Sequence, residues 1–360
     1  MKPAAPIRVA FVLPNLAAGG AERVALSLLA GLDRQRCRAL LIVLREDGAL
    51  RAALPADVAL YSTGRPRLLT AFVPLLRTLR RTQPDVLFST LGYVNLAVLV
   101  LARLLAKRPR VVIREANMPS ASLPRQNLAG PLVLGYRLLY RIADAVIASS
   151  RQMANELAQR FAVPAARLHV LANPVDSAGL RRQATPPVRA PGDGARYVAC
   201  GRLTAQKGFD RLLDMLPSLP GAWQLTILGD GPDYDALTRQ AAALGLGDRV
   251  RLAGFAANPW SWFAGADALL LPSRWEGQSN VALEALACGC PVIATPEAGG
   301  IGELADEAAG AVQLAQIGAP FLAALAAVRP APPACPRPSL LPARYEAAAV
   351  LAQFQRLLEG

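Results

Sequence analysis

A chain of 360 residues is long enough for two domains of ordinary size, each burying its own core. Hydrophobic residues make up 53% of it and charged residues 18%, which excludes a disordered chain, and 28 Gly with 30 Pro fall short of a low-complexity or collagenous composition. The net charge of +13 is uneven: residues 1–190 hold 27 Lys and Arg against 10 Asp and Glu, whereas residues 191–360 hold 12 against 16. Such an asymmetry suggests that the first half faces a polyanion, an anionic membrane surface or phosphate groups, the alternative being plain arginine-rich usage. No zinc finger, aromatic RNA-binding signature or basic zipper accompanies the charge, so nucleic acid is not an expected partner.

The first residues run into an apolar strand, 7–13, without the basic start and small-residue cleavage site of a signal peptide. Further strand-like runs follow at 39–44, 86–89, 111–113, 145–148 and 169–171, separated by helical patterns such as 22–32 and 68–81. Each strand is expected to lead into a crossover helix, making the sheet largely parallel. The apolar stretch 91–106 carries Asn95 and Arg103 and reads as a buried helix, too short in its uninterrupted part to span a bilayer. The second half repeats the scheme at 197–200, 224–228, 250–252, 268–271 and 292–294. The expected fold is therefore α/β, with two tandem Rossmann-like, doubly wound parallel-sheet domains facing a cleft.

Residues 1–176 are expected to form the first domain and 196–330 the second, joined by a hinge over 177–195 that contains Pro186, Pro187, Pro191, Gly192 and Gly194. A Pro-rich crossing segment, 331–343, precedes a final helix within 344–360 expected to pack back on the first domain. Five cysteines, Cys37, Cys200, Cys288, Cys290 and Cys335, form no CxxC pair, and His169 is the single histidine. These features predict a reduced, cytosolic chain without structural metal, in which His169 is structural.

Gly19 and Gly20 precede the first helix, where backbone amides and absent side chains would admit a phosphate, although a plain turn reads equally well. The segment lacks the GxGxxG of a dinucleotide fold and the GK[ST] of a Walker loop. In the second domain Arg202 and Lys207 follow the first strand and form a candidate diphosphate clamp, against the reading that they are surface charges. Residues 271–293 place Glu276 in a loop and Glu284 about one turn inside a helix that Ser279 or Asn280 would cap. A carboxylate in so apolar a helix needs hydrogen-bond donors, which a ribose diol would supply; a solvent-facing position or an arginine salt bridge is the alternative. A second glycine pair, Gly299-Gly300, opens another short helix at Ile301.

Taken together, the GGAER turn, the Gly201–Asp210 clamp, the pattern EGxxNxxxEAxAxGxPVI from Glu276 and the Gly299-Gly300-Ile301 turn resemble the retaining nucleotide-sugar glycosyltransferases of the GT-B fold, family 4 (group 1), over nearly the whole chain. The Asn173-Pro174-Val175-Asp176 turn is similar to the family's junction. The resemblance implies that Glu284 holds the ribose hydroxyls, Arg202 and Lys207 the diphosphate, and Glu276 the donor sugar. It also implies donor contacts from Asn280, from the backbone of Gly299, Gly300 and Ile301, and from Gly20 of the first domain, with no metal or other cofactor in the chemical step. Many members carry a histidine after the middle strands of the first domain, where this chain has Arg114-Glu115-Ala116-Asn117. Glu115 is carried as a catalytic candidate there, and Arg114 and Asn117 as acceptor or sugar contacts. The RExN arrangement resembles the branch acting on N-acetylated hexosamines.

The implied activity is transfer of a sugar from a nucleoside-diphosphate sugar, UDP favoured, to a glycan or polyprenyl-linked acceptor in envelope or exopolysaccharide assembly. A nucleotide-sugar-binding scaffold without turnover, or an epimerase on the same fold, is the alternative. The basic helical segments 68–81 and 98–110 suggest a cytoplasmic chain lying peripherally on an anionic membrane.

Overall fold

The computed structural model describes residues 5–17, 19–126, 128–185, 194–330 and 337–360. The chain divides into two compact units, Met1–Pro174 with Ala348–Gly360, and Val175–Ala347. Part of the expected hinge, 186–193, and part of the Pro-rich crossing, 331–336, lie outside the described residues, as does Cys335.

In chain order the first unit comprises β1 (Ile7–Leu13), α1 (Gly20–Ala30), β2 (Cys37–Val43), β3 (Ala59–Ser62), α2 (Leu68–Thr82), β4 (Val86–Thr90), α3 (Gly92–Arg103), β5 (Arg110–Arg114), α4 (Pro119–Ser122), α5 (Ala129–Leu139), β6 (Ala145–Ala148), α6 (Arg151–Phe161) and β7 (Leu168–Val170). The second comprises α7 (Ser177–Gln183), β8 (Ala195–Cys200), α8 (Phe209–Met215), β9 (Trp223–Leu228), α9 (Tyr234–Ala243), β10 (Val250–Gly254), α10 (Trp260–Gly265), β11 (Ala268–Leu271), α11 (Asn280–Ala287), β12 (Val292–Ala294), α12 (Ile301–Glu307), β13 (Val312–Leu314) and α13 (Ala319–Ala326). The final helix is α14 (Ala347–Glu359).

The seven strands of the first sheet run in the order β3-β2-β1-β4-β5-β6-β7 and the six of the second in the order β10-β9-β8-β11-β12-β13. Their neighbours pair in parallel throughout. Both are doubly wound, with the strand order reversing between β1 and β4 and between β8 and β11; the carboxyl ends of these strands are where such sheets bind ligands. Both faces of the first sheet are covered, which is why β1 is a continuous apolar run rather than an alternating one. Ala10 and Val12 pack with Leu75, Val94, Val98 and Leu157 on one face, while Val9, Phe11 and Leu13 pack with Val24, Leu28 and Phe354 on the other.

Helix α14 belongs to the first unit. Its Phe354 ring lies 5.2 Å from Phe88 and 6.2 Å from Phe11, centroid to centroid, and burial of such a side chain is worth about 1.5–3 kcal/mol. Helix α3 is buried along Val94, Asn95, Ala97, Val98, Leu99, Leu101 and Ala102. Among the described residues no helix is long and apolar enough to cross a membrane.

Two findings depart from the sequence reading. Part of the expected hinge is helix α7, capped by Asp176 and tied to the second unit where Arg181 Nη1 donates to the Ala287 carbonyl at 3.1 Å. Two strands, β3 and β13, are additional; each is an edge strand with a single neighbour and a half-exposed sequence, so neither carries a sustained apolar run.

Candidate functional site

In the second unit the loops after β8, β11 and β12 are stitched together at the carboxyl edge of the sheet. Arg211 on α8 donates from Nε to the Pro272 carbonyl and from Nη2 to that of Ser273, both at 2.8 Å. Arg274 grips Asp210 with two hydrogen bonds of 2.7 and 2.6 Å, holding its carboxyl below the usual range, and the Arg274 amide donates to the Gln206 carbonyl at 2.8 Å. These contacts fix Lys207, at the end of a short 3₁₀ turn, against the loop that carries Glu276.

The Lys207 ammonium lies 2.5 Å from Glu276 Oε1, and the Ser273 hydroxyl donates to the same oxygen at 2.8 Å. The two side chains are 16% and 7% exposed, so this is a largely desolvated pair. The glycine turn docks on the same loop: the Gly300 amide donates to the Gly277 carbonyl at 3.0 Å. Gly299 has φ +66, and a Cβ there would strike the Glu276 carbonyl oxygen, so glycine is needed for both conformation and approach. Ile301 is buried at the start of α12. The structure thus brings Lys207, Glu276, Gly299 and Gly300 together.

Glu284 is half-buried on α11 and faces α10, where Trp260 Nε1 donates to its Oε2 at 2.9 Å. The carboxylate also adds to burial in raising the thiol of Cys288, one turn on, to about 11. Ser279, rather than Asn280, caps α11, its hydroxyl accepting from the Ala282 amide at 3.4 Å. Arg202 is exposed beside this cluster in sequence, not drawn into its ion pair.

In the first unit, Gly20 is the exposed first residue of α1. Arg114 and Glu115 are differently placed from the expected sugar contacts: they are only 2% and 3% exposed. Glu115 Oε2 accepts from the hydroxyls of Tyr136 at 2.9 Å and Tyr140 at 2.7 Å, and the backbone amides of Ala116 and Asn117 also serve the carboxylate. Burial nevertheless raises its pKa above the ordinary value. Arg114 donates to Asn173 and to Thr90, and burial lowers its guanidinium to about 10. Asn95 completes the network, donating to the Arg114 carbonyl at 3.0 Å and to Tyr140 at 3.1 Å. Ala116 and Asn117 of this segment are partly exposed, and of its polar side chains only that of Asn117 is not buried.

Residues 18–178 match the family model described as Glycosyltransferase Family 4, and residues 194–327 match the one described as Glycosyl transferases group 1. Anabaena Alr3699/HepE in complex with UDP and glucose has the same fold, with a TM-score of 0.78 at 20% identity over 98% of this chain and 99% of that chain. The chain belongs to the GT-B glycosyltransferases.

Among relatives of this glycosyltransferase, the N-acetylgalactosamine-N,N'-diacetylbacillosaminyl-diphospho-undecaprenol 4-alpha-N-acetylgalactosaminyltransferase of Campylobacter jejuni is 27% identical over 311 residues, 82% of this chain and 83% of that one. The lipopolysaccharide 1,6-galactosyltransferase of Escherichia coli is 31% identical over 157 residues, 42% of each chain.

Several residues around the glycosyltransferase's candidate site carry no motif. Ser273, Arg211 and Trp260 act on Glu276, the loop and Glu284 respectively. Tyr136 and Tyr140, four residues apart and stacked at 4.0 Å, had a readable signal in that spacing and in Gly92, where a Cβ would collide with the Tyr136 hydroxyl.

Proposed function

We propose that this GT-B glycosyltransferase moves a sugar, with retention at the anomeric carbon, from a nucleoside-diphosphate sugar to a glycan or polyprenyl-linked sugar in envelope polysaccharide assembly. The observation that carries the reading is the meeting of Lys207, Glu276 and the Gly299-Gly300 turn at the carboxyl edge of the second sheet. A cation held there in advance, beside the dipoles of the glycine turn, would counter the charge that develops on a leaving diphosphate, without a metal in the chemical step. In this reading Lys207 exchanges part of its pairing with Glu276 for the diphosphate, and Glu276 turns its freed hydrogen-bonding capacity to the donor sugar. Arg202, exposed nearby in sequence, supplies the second cation, Glu284 takes the ribose hydroxyls, and Asn280 borders the donor. Within the first unit, buried Arg114 and Glu115 hold the loop that carries Asn117.

A UDP-sugar of N-acetylhexosamine type and an undecaprenyl-diphosphate-linked acceptor are favoured by the activity that the Campylobacter jejuni relative is named for and by the UDP in the Anabaena structure. Such an acceptor requires contact with the cytoplasmic membrane surface. Exposed Leu69 and Val73 on α2, Val100 on α3, and Leu134 and Leu138 on α5 are interspersed with arginines, a composition suited to an anionic bilayer. A thermal-shift screen of UDP-, GDP- and ADP-sugars, followed by transfer to a polyprenyl-diphosphate sugar with NMR assignment of the new anomeric centre, tests the reading. It predicts stabilisation by one nucleotide class and a retained configuration; stabilisation by none, or an inverted product, contradicts it.

A further inference from the structure

The opposite edge of the first sheet holds a second concentration of charge. The amino-terminal ends of β5, β6 and β7 surround a pocket of about 510 Å³ lined by Arg103, Arg108, Arg141, Ile142, Asp144 and Arg167. In a parallel sheet the strand starts share one edge, so this pocket lies away from the carboxyl ends that carry Arg114 and Asn117.

Four guanidinium groups here face one carboxylate, and that carboxylate is occupied. Asp144 accepts from Arg108 Nη2 at 3.0 and 2.8 Å and from the Val111 amide at 2.8 Å. Arg167 is turned to the wall, donating to the Arg141 and Ala143 carbonyls at 2.6 and 3.1 Å. Among the described residues, the guanidinium groups of Arg103 and Arg141 make no hydrogen bond or ion pair. Like charges lining one concavity repel one another, and the planar fork of arginine matches phosphate oxygens. A group carrying two or more negative charges would relieve the repulsion and satisfy both open guanidiniums.

We propose that this pocket is a phosphate-binding site, separate from donor binding, that receives the headgroup of an anionic phospholipid. The lipid source is favoured by Leu104, 47% exposed beside Arg103, and Leu138, 55% exposed three residues before Arg141. Exposed apolar side chains close in sequence to the arginines of a basic pocket suit the boundary between headgroup and acyl chain. The lipid assignment rests on the membrane contact proposed above; the phosphate site itself does not.

The test uses the full chain, with phosphatidylcholine vesicles with and without phosphatidylglycerol in sedimentation, and inorganic pyrophosphate in calorimetry. Arg103→Gln/Arg141→Gln is compared with the charge-matched Arg38→Gln/Arg65→Gln, also in the first unit. The pocket pair is expected to weaken binding to phosphatidylglycerol vesicles by roughly tenfold or more relative to the matched pair, with UDP affinity unchanged in both. Pyrophosphate binding lost in the pocket pair without any vesicle effect supports the site and gives it a soluble ligand, against the membrane reading alone. Equal behaviour of the two variants toward both probes, or no binding of either probe by the unmodified chain, overturns the proposal.

Discussion

Glu276 Oε1 receives the Lys207 ammonium at 2.5 Å and the Ser273 hydroxyl at 2.8 Å, so one carboxylate oxygen joins the loop after β8 to the loop after β11. Because both charged side chains are largely desolvated, removing one partner strands the other. Lys207→Met is expected to destabilise the protein by about 3 kcal/mol in urea unfolding, and Lys207→Met/Glu276→Gln by clearly less than the two single effects added, with a coupling of about 1–3 kcal/mol. Additive losses would mean that the two charges do not interact in solution.

Glu284→Ala removes the proposed partner of the ribose and the acceptor for Trp260 Nε1. Nucleotide affinity should fall by about 1–3 kcal/mol, the usual cost of losing hydrogen bonds to a charged group. Since Trp260 touches the carboxylate directly, its fluorescence should respond to nucleotide in the unmodified protein and much less in Glu284→Gln. An unchanged affinity in calorimetry would remove Glu284 from the donor site.

The alternating strands and helices were legible because the central strands are buried on both faces, as 9–13 and 268–271 show in their unbroken apolar character. Strands β3 and β13 were not, since Ala59–Ser62 and Val312–Leu314 are short and carry no sustained apolar run. The Gly201–Asp210 segment and the motif around Glu276 offered Lys207, Glu276 and Glu284 as candidates, yet not that Lys207 and Glu276 pair with each other, which depends on loops 69 residues apart in sequence. Glu115 shows the same limit. The family resemblance put it forward as a catalytic candidate, whereas its surroundings are set by Tyr136 on α5 and Tyr140 just beyond that helix, which only the fold brings to it.

Tyr140→Phe deletes one of the two hydroxyl bonds to Glu115 and an acceptor for Asn95. A bond to a charged group is worth about 1.5–3 kcal/mol, so a loss of that order is expected at neutral pH. Burial raises the folded pKa of Glu115 above its ordinary 4.5, so the native state holds the proton more tightly and stability falls as pH rises from the unfolded value through the folded one. Loss of the tyrosine bond raises the folded value further. The difference in unfolding free energy between variant and unmodified protein should therefore be small near pH 4 and widen toward pH 7; a constant difference would contradict the assignment.

Asp85 ties β4 to its neighbours. Burial pushes its carboxyl up, but the Arg8 amide, the Lys107 ammonium and the Arg8 guanidinium together outweigh it and hold the pKa at about 2. A lowered folded pKa gives stability that is present above the ordinary 3.8 and is lost as pH falls through about 2. Allowing for solvent screening of a partly exposed group, Asp85→Asn should cost about 1–2 kcal/mol at pH 7. In chemical unfolding the gap should close between pH 4 and pH 2.

The most direct test of the account is calorimetric titration of UDP into the unmodified chain, Lys207→Met and Glu284→Ala under identical salt and without added metal. The account predicts a single site in the unmodified protein and affinity lowered by about tenfold or more in each variant, as expected for removal of a charge-assisted contact. Binding of UDP that is indifferent to both substitutions, or no binding of UDP, GDP or ADP by the unmodified protein, would contradict a donor site at the carboxyl edge of the second sheet.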